Sequence, residues 1–286
     1  MAINAKRFRS NAGMKFEAIN LMKFIILLLL LYVSVHGAFD VDTPSASVHA
    51  MGCAVVAMPA NPFALSSNPA NIINNQANLA VSCRNFYNLP QINQIEINTN
   101  LQPLGYPVSL TLSRFGNKLY QEIAIGIGLA YQPISAMNFG FSLNFYSLSI
   151  ENYGMDHTIG LNLGIAYRLF EQFHLGAKIA NINRPVIGRT REKLPQYFRL
   201  GLFFTPLHPF TIAAEIFRDV RYTMDYRIGL SYKFDLPIII RIGIRDDVNS
   251  YCFGFGMQLQ SFNIDYAVKI HTMLGVSHLL SLIINI

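Results

Sequence analysis

Two close pairs of opposite charge, Asp225 with Arg227 and Asp265 with Lys269, come nearest in this chain to a constellation that could do proton chemistry. A carboxylate held beside a guanidinium or ammonium suits charge-assisted binding of a substrate, or a tuned acid–base pair. The expectation here is the plainer one, a ladder of charges that neutralise each other along a narrow interior, where unpaired charge is costly. His49, His157, His174, His208, His271 and His278 fall in separate elements, and no GxSxG, HExxH or phosphate-loop pattern is present. Cys53, Cys83 and Cys252 stand far apart without CxxC spacing. They read as small, partly buried residues, with neither a metal site nor a disulfide framework indicated. The chain therefore reads as a non-enzyme without a cofactor.

The element that carries the first pair is "YTMDYRIGLSYKFD", Tyr222 to Asp235. Its even positions are apolar or aromatic, and its odd positions are Thr, Asp, Arg, Gly, Ser, Lys and Asp. A period of two makes an extended strand with two chemically opposite faces. Ile238, Ile240, Ile242 and Ile244 interleave in the same way with Arg241, Gly243 and Arg245, and Phe262 to Ile270 with Asn263, Asp265, Ala267, Lys269 and His271. Of the 286 residues, 52% are hydrophobic and only 13% charged, about half the charge of an ordinary soluble domain. The polar face is built of Gly, Ala, Ser, Thr and Asn, with isolated charges at Glu122, Arg199, Glu215, Asp225, Arg227, Arg241, Asp265 and Lys269. Such positions suit the lumen of a barrel, with lipid on the oily side. A net charge of +6 is carried by scattered residues with no recognition motif, so nucleic acid is not expected as a partner.

Alternating segments are read at 78–87, 92–101, 106–115, 121–131, 137–148, 158–169, 173–183, 197–205, 210–218, 222–234, 237–245, 250–258, 262–271 and 276–286, about fourteen in all. Each is near the roughly 9–11 residues needed to cross a bilayer when tilted. The expected fold is an all-β, antiparallel transmembrane barrel. Tight turns such as "QPISA", "FEQ", "PLHP" and "DL" alternate with longer loops, "SIENYGMDH" after the fifth segment and "RPVIGRTREKLP" after the seventh. That asymmetry fits a periplasmic and an outer rim. Tyr131, Tyr146, Tyr167, Tyr197, Tyr222, Tyr232 and Phe234 near strand ends suit headgroup depth.

Ahead of the barrel, Met22 to Gly37 has the charged start, apolar core and small-residue end of a signal peptide. Residues 1–21 read as an upstream start assigned too early. Residues 38–75 are Pro-broken and rich in small residues, with one short helix expected near Val48 to Met58. Export with alternation points to the outer membrane of a Gram-negative-type cell.

The segments "LPQYFRLGLFFTPLHPFTIAAEIFRD", "DYRIGLSYKFDLPIIIRIGIR" and "YCFGFGMQLQSFNIDYAVKIHTMLGVSHLLSLIINI" resemble PorV/PorQ-type outer-membrane proteins, relatives of the FadL long-chain fatty-acid transporter barrels. "HAMGCAVVAMPANPFALSSNPANI" is similar to their N-terminal motif through Met51, Gly52, Ala54, Asn68, Pro69 and Ala70. The resemblance implies a fourteen-stranded barrel with its N-terminal segment folded into the lumen as a hatch. Cys53 stands where the motif has glycine, and the acidic pair that precedes the NPA motif is missing. Leu280, Leu282, Ile284 and Ile286 resemble a signal for barrel-assembly machinery without the final aromatic. Two functions follow from the resemblance. One is a part in protein export or surface attachment, with the basic loop bearing Arg184, Arg189, Arg191 and Lys193 meeting a secreted passenger protein. The alternative is passive transport of a hydrophobic ligand through space left by Gly126, Gly128, Gly160 and Gly254.

Overall fold

The computed structural model describes residues 37–39, 45–74, 76–246 and 250–286. The expected upstream start and signal peptide lie outside the described residues, save Gly37 at the expected cleavage point.

Alternation is realised strand by strand. The wall runs β1 (Asn78–Asn85), β2 (Asn93–Leu101), β3 (Val108–Gly116), β4 (Tyr120–Ile134), β5 (Met137–Ile150), β6 (Gly154–Phe170) and β7 (Phe173–Ala180). A small hairpin of β8 (Val186–Ile187) and β9 (Glu192–Lys193) interrupts it. It continues with β10 (Tyr197–Leu207), β11 (Phe210–Asp219), β12 (Met224–Lys233), β13 (Ile238–Arg245), β14 (Ser250–Gln258), β15 (Phe262–His271) and β16 (Gly275–Asn285). The fourteen wall strands form one closed antiparallel barrel, sealed by β1 against β16 from Asn78 opposite Asn285 to Asn85 opposite His278. Each segment read from the sequence corresponds to one of these strands. No helix of the described residues is long and apolar enough to cross a membrane.

The two faces differ as their residues dictate. On β13, Ile240, Ile242 and Ile244 are 44–51% exposed, whereas Arg241, Gly243 and Arg245 between them are buried. We call the rim where β1 begins and β16 ends the base, and the other rim the mouth. Register shifts at Tyr131/Ile134, Arg168/Phe170 and Phe204/Leu207 all sit at base turns.

The connection after the fifth strand is no long loop: Ile150 pairs with Gly154, leaving three residues, because the alternation simply continues into both flanking strands. The expected helix shrinks to α1 (Ala46–Ala50), because Gly52 (φ 61°) and Cys53 (φ 62°) turn the chain into the left-handed region. Tyr146 and Tyr197 do not reach headgroup depth but face the lumen, in phase with Asn144 and Arg199.

The lumen is occupied by residues 45–74, which comprise α1, α2 (Ala64–Ser67) and a 3₁₀ turn over Pro69–Asn74. Wall glycines make this fit possible. A methyl group on Gly140, Gly176, Gly229 or Gly243 would overlap the backbone of Ala70, Val56, Met51 or Gly52 respectively. The glycines expected to leave a passage are filled as well: Gly128 by Leu65, Gly254 by Ala50, Gly160 by Asn181, and Gly126 by Asn144 and Thr111.

The outward face yields a direct prediction. Ile242→Arg, at mid-strand on the exposed face, should cost about 2–4 kcal/mol of barrel stability in a phospholipid bilayer, while Leu236→Arg in a base turn should cost about 0–1 kcal/mol. Urea unfolding of the reconstituted barrel checks both.

Candidate functional site

The lumen segment is tied to the wall through a buried charge cluster on β10, β11, β12 and β13. Arg199 holds Glu215 through two bonds, Nε to Oε1 at 2.6 Å and Nη2 to Oε2 at 3.0 Å. The same carboxylate accepts the backbone N–H groups of Val55 and Val56 at 3.0 and 2.9 Å, and Arg199 also donates to the carbonyl of Cys53 at 2.7 Å. Arg227, 1% exposed, lies 3.5 Å from Glu215, bonds Asp225 at 2.5 Å and stacks its guanidinium 4.0 Å from the Phe217 ring. Arg245 reaches Asp225 at 3.6 Å and the Cys53 thiol at 3.7 Å. A buried guanidinium is tolerable only when paired, and here the pairing partners also hold the plug.

The small-residue motif supplies the opposing contacts. Asn68 donates to the carbonyls of Val56 and Ile165 at 2.8 and 3.1 Å, and its own oxygen accepts Ala70 N–H at 3.1 Å. Asn71 donates to the same Val56 carbonyl at 3.1 Å. Pro69 packs against Gly140 and Gly164. Met51 and Ala54 are buried with Val48, Cys53, Val55 and Ala213, and Gly52 meets the backbone of Ile228 and Ile244. With no acidic pair before the NPA motif, the carboxylate that anchors this segment comes from the wall, at Glu215.

Arg241 pairs with Asp265 at 2.6 Å, so Asp265 does not form its pair with Lys269, which stands buried opposite Cys252 and Ser277. Glu122 lies nearer the mouth, where it accepts the Tyr120 hydroxyl at 2.6 Å and Phe39 N–H at 2.9 Å. Arg184, Arg189, Arg191 and Lys193 are exposed on or beside the β8–β9 hairpin. Cys53 and Cys252 are buried, but Cys83 points outward and is exposed, because its parity on β1 is that of the lipid face.

Between plug and mouth lies a cavity of about 150 Å³. Leu65 and Ser66 line it from the plug, Glu96, Glu122, Tyr146, Lys178 and Tyr197 from the wall, and Phe39 from above. The Phe39 ring sits 4.8 Å from that of Tyr146. Lys178 donates to the Ser66 carbonyl at 2.6 Å, and Ser66 donates to Glu96 at 2.7 Å. Ala38, Phe39, Leu148, Ile187 and Leu194 close the mouth above it. A second space of about 410 Å³ opens under the hairpin against Leu148, Ile150 and Met155. Two clefts of about 280 and 450 Å³ lie on the base side of the plug, at Met58 and at Pro59. Sequence reading missed Glu96, Lys178, Tyr146 and Tyr197 as lining residues. Their parity with inward neighbours such as Asn98, Gly176, Asn144 and Arg199 was the available signal.

No family model and no curated protein matches the sequence. Solved structures do share the fold. The Pseudomonas putida toluene transporter TodX superposes with a TM-score of 0.67 at 13% identity, over 88% of this chain and 100% of that one. The CymD monoaromatic hydrocarbon channel gives 0.62 at 12% identity, over 85% and 97%. A Pseudomonas aeruginosa FadL homologue gives 0.60 at 9% identity, over 86% and 99%. The barrel is thus of the architecture seen in FadL-type proteins, and these likenesses lend no support to the PorV/PorQ resemblance in particular.

Glu215 is the test of the anchoring. Glu215→Gln strips the charge that balances Arg199 and Arg227, and should cost about 3–5 kcal/mol. We expect a lowered melting point by heat-dependent gel mobility and cleavage of residues 45–74 by added protease, with the wall strands still protected.

Proposed function

We propose that the protein is an outer-membrane channel of the FadL type, passing small hydrophobic or amphipathic molecules without chemical turnover. The observation that carries this reading is a ring-sized cavity stacked above a plug inside one closed barrel. A cavity of about 150 Å³ is the size that accepts a benzene ring. In this reading the mouth faces outward and the base faces the periplasm. A molecule enters by the apolar space beneath the hairpin, rests in the lumen cavity, and leaves through the base-side clefts when the plug shifts. The neighbouring structures named for toluene and monoaromatic hydrocarbons add support. So does their being channels and transporters rather than enzymes.

The export or attachment role gains nothing comparable. Apart from residues 86–92 and the hairpin-bearing residues 181–196, the mouth connections are short, three residues after β5 and three after β15, and give a passenger protein little surface. The four basic residues of the hairpin region are solvated, which needs no partner.

Entry of labelled toluene into cells with a tight outer membrane tests the proposal. Cells making the protein should take it up several-fold faster than cells without it. Ser113→Trp, which puts an indole into the cavity, should return the rate to background. Equal rates with and without the protein would contradict the reading.

A further inference from the structure

The lumen cavity is not furnished for a bare hydrocarbon. Glu96 and Glu122, 3% and 5% exposed, line it together with the rings of Phe115, Tyr146 and Tyr197. An apolar guest would displace water from these carboxylates without replacing its hydrogen bonds, which weakens binding. We propose that the cavity selects a single-ring aromatic carrying one neutral hydrogen-bond donor, a phenol, over both the unsubstituted ring and its carboxylate analogue. The proposal deepens the transport reading and rests on it for how the ligand arrives.

Three observations converge on this ligand. Size limits it to one ring. The acceptors already take neutral hydroxyls, since Ser66 donates to Glu96 at 2.7 Å and the Tyr120 phenol to Glu122 at 2.6 Å. The second of these is the bond a guest phenol would make, formed here by the protein itself, and a carboxylate can accept several donors at once. Arg199 is matched in charge by Glu215, while Lys178 keeps its charge as it donates to the Ser66 carbonyl. An anionic guest would therefore meet two lining carboxylates against one ammonium, a balance that disfavours it.

Equilibrium dialysis of the purified full chain in detergent, with labelled toluene, p-cresol and p-toluate, decides the matter. These probes share a methylated ring and differ only in the second substituent. We expect p-cresol to bind about tenfold or more tightly than either of the others, the discrimination a hydrogen bond to a charged acceptor supplies. Glu96→Gln/Glu122→Gln, which leaves only neutral acceptors, should bring p-cresol and toluene to within about threefold of each other, with folding checked by heat-dependent gel mobility. Ser113→Trp supplies the background for binding outside the cavity. Toluene bound above that background as tightly as p-cresol would overturn the phenol inference and leave the transport reading standing. Tightest binding of p-toluate would overturn it too, in favour of recognition by Lys178. Binding of none of the three above background would remove both the inference and the cavity on which the transport reading depends.

Discussion

Hydrocarbon offers backbone N–H and C=O groups no water to bond, so a sheet that crosses it must leave no open edge. That constraint explains why β1 pairs with β16 along its whole length and why the alternation is so regular. Once the sheet is closed, every second residue is committed to lipid and the rest to a bore. Isoleucine and leucine outside need no partners. Arginine, glutamate and aspartate inside do, and the fold answers by pairing them across neighbouring strands and by threading the chain's own segment among them.

The plug follows from the same geometry. A fourteen-strand ring encloses more room than small side chains fill, and residues 45–74 take up much of it. Glycine in the wall lets backbone meet backbone, while Glu215 gives the plug's amides a charged acceptor and at once neutralises Arg199 and Arg227. Seating and charge balance are thus one arrangement. What stays open is the mouth-side cavity, closed above by Phe39 and the hairpin.

The wall was legible in the sequence because a period of two over ten residues leaves little choice of conformation or face. Ile240 and Arg241 announce opposite sides by parity alone. Loop lengths were less legible. "SIENYGMDH" looks like a loop by its polar residues, yet Gly154 to His157 extend β6 beyond the oily belt, where polar outward residues are no obstacle. Tyr146 and Tyr197 line the lumen because strand parity, and not aromatic type, decides which side a residue faces. The glycines misled in a different way, since a missing side chain in a wall reads as empty space until the segment that fills it is placed. The likeness to PorV/PorQ proteins rests on residues such as Gly52 and Asn68 that seat the plug. Residues of that kind report architecture, and so they carry no information about cargo.

The most direct measurement of the account is spin-label accessibility along β13 in lipid vesicles, with single cysteines introduced at positions 239, 240, 241, 242 and 244 on a background in which the exposed Cys83 is replaced by serine. Labels at positions 240, 242 and 244 should relax with dissolved oxygen and ignore a water-soluble nickel chelate, as groups bathed in acyl chains do, and labels at 239 and 241 should respond weakly to both. Uniform access to the chelate at all five positions, or the opposite phase, would contradict a closed barrel with lipid outside and a filled bore.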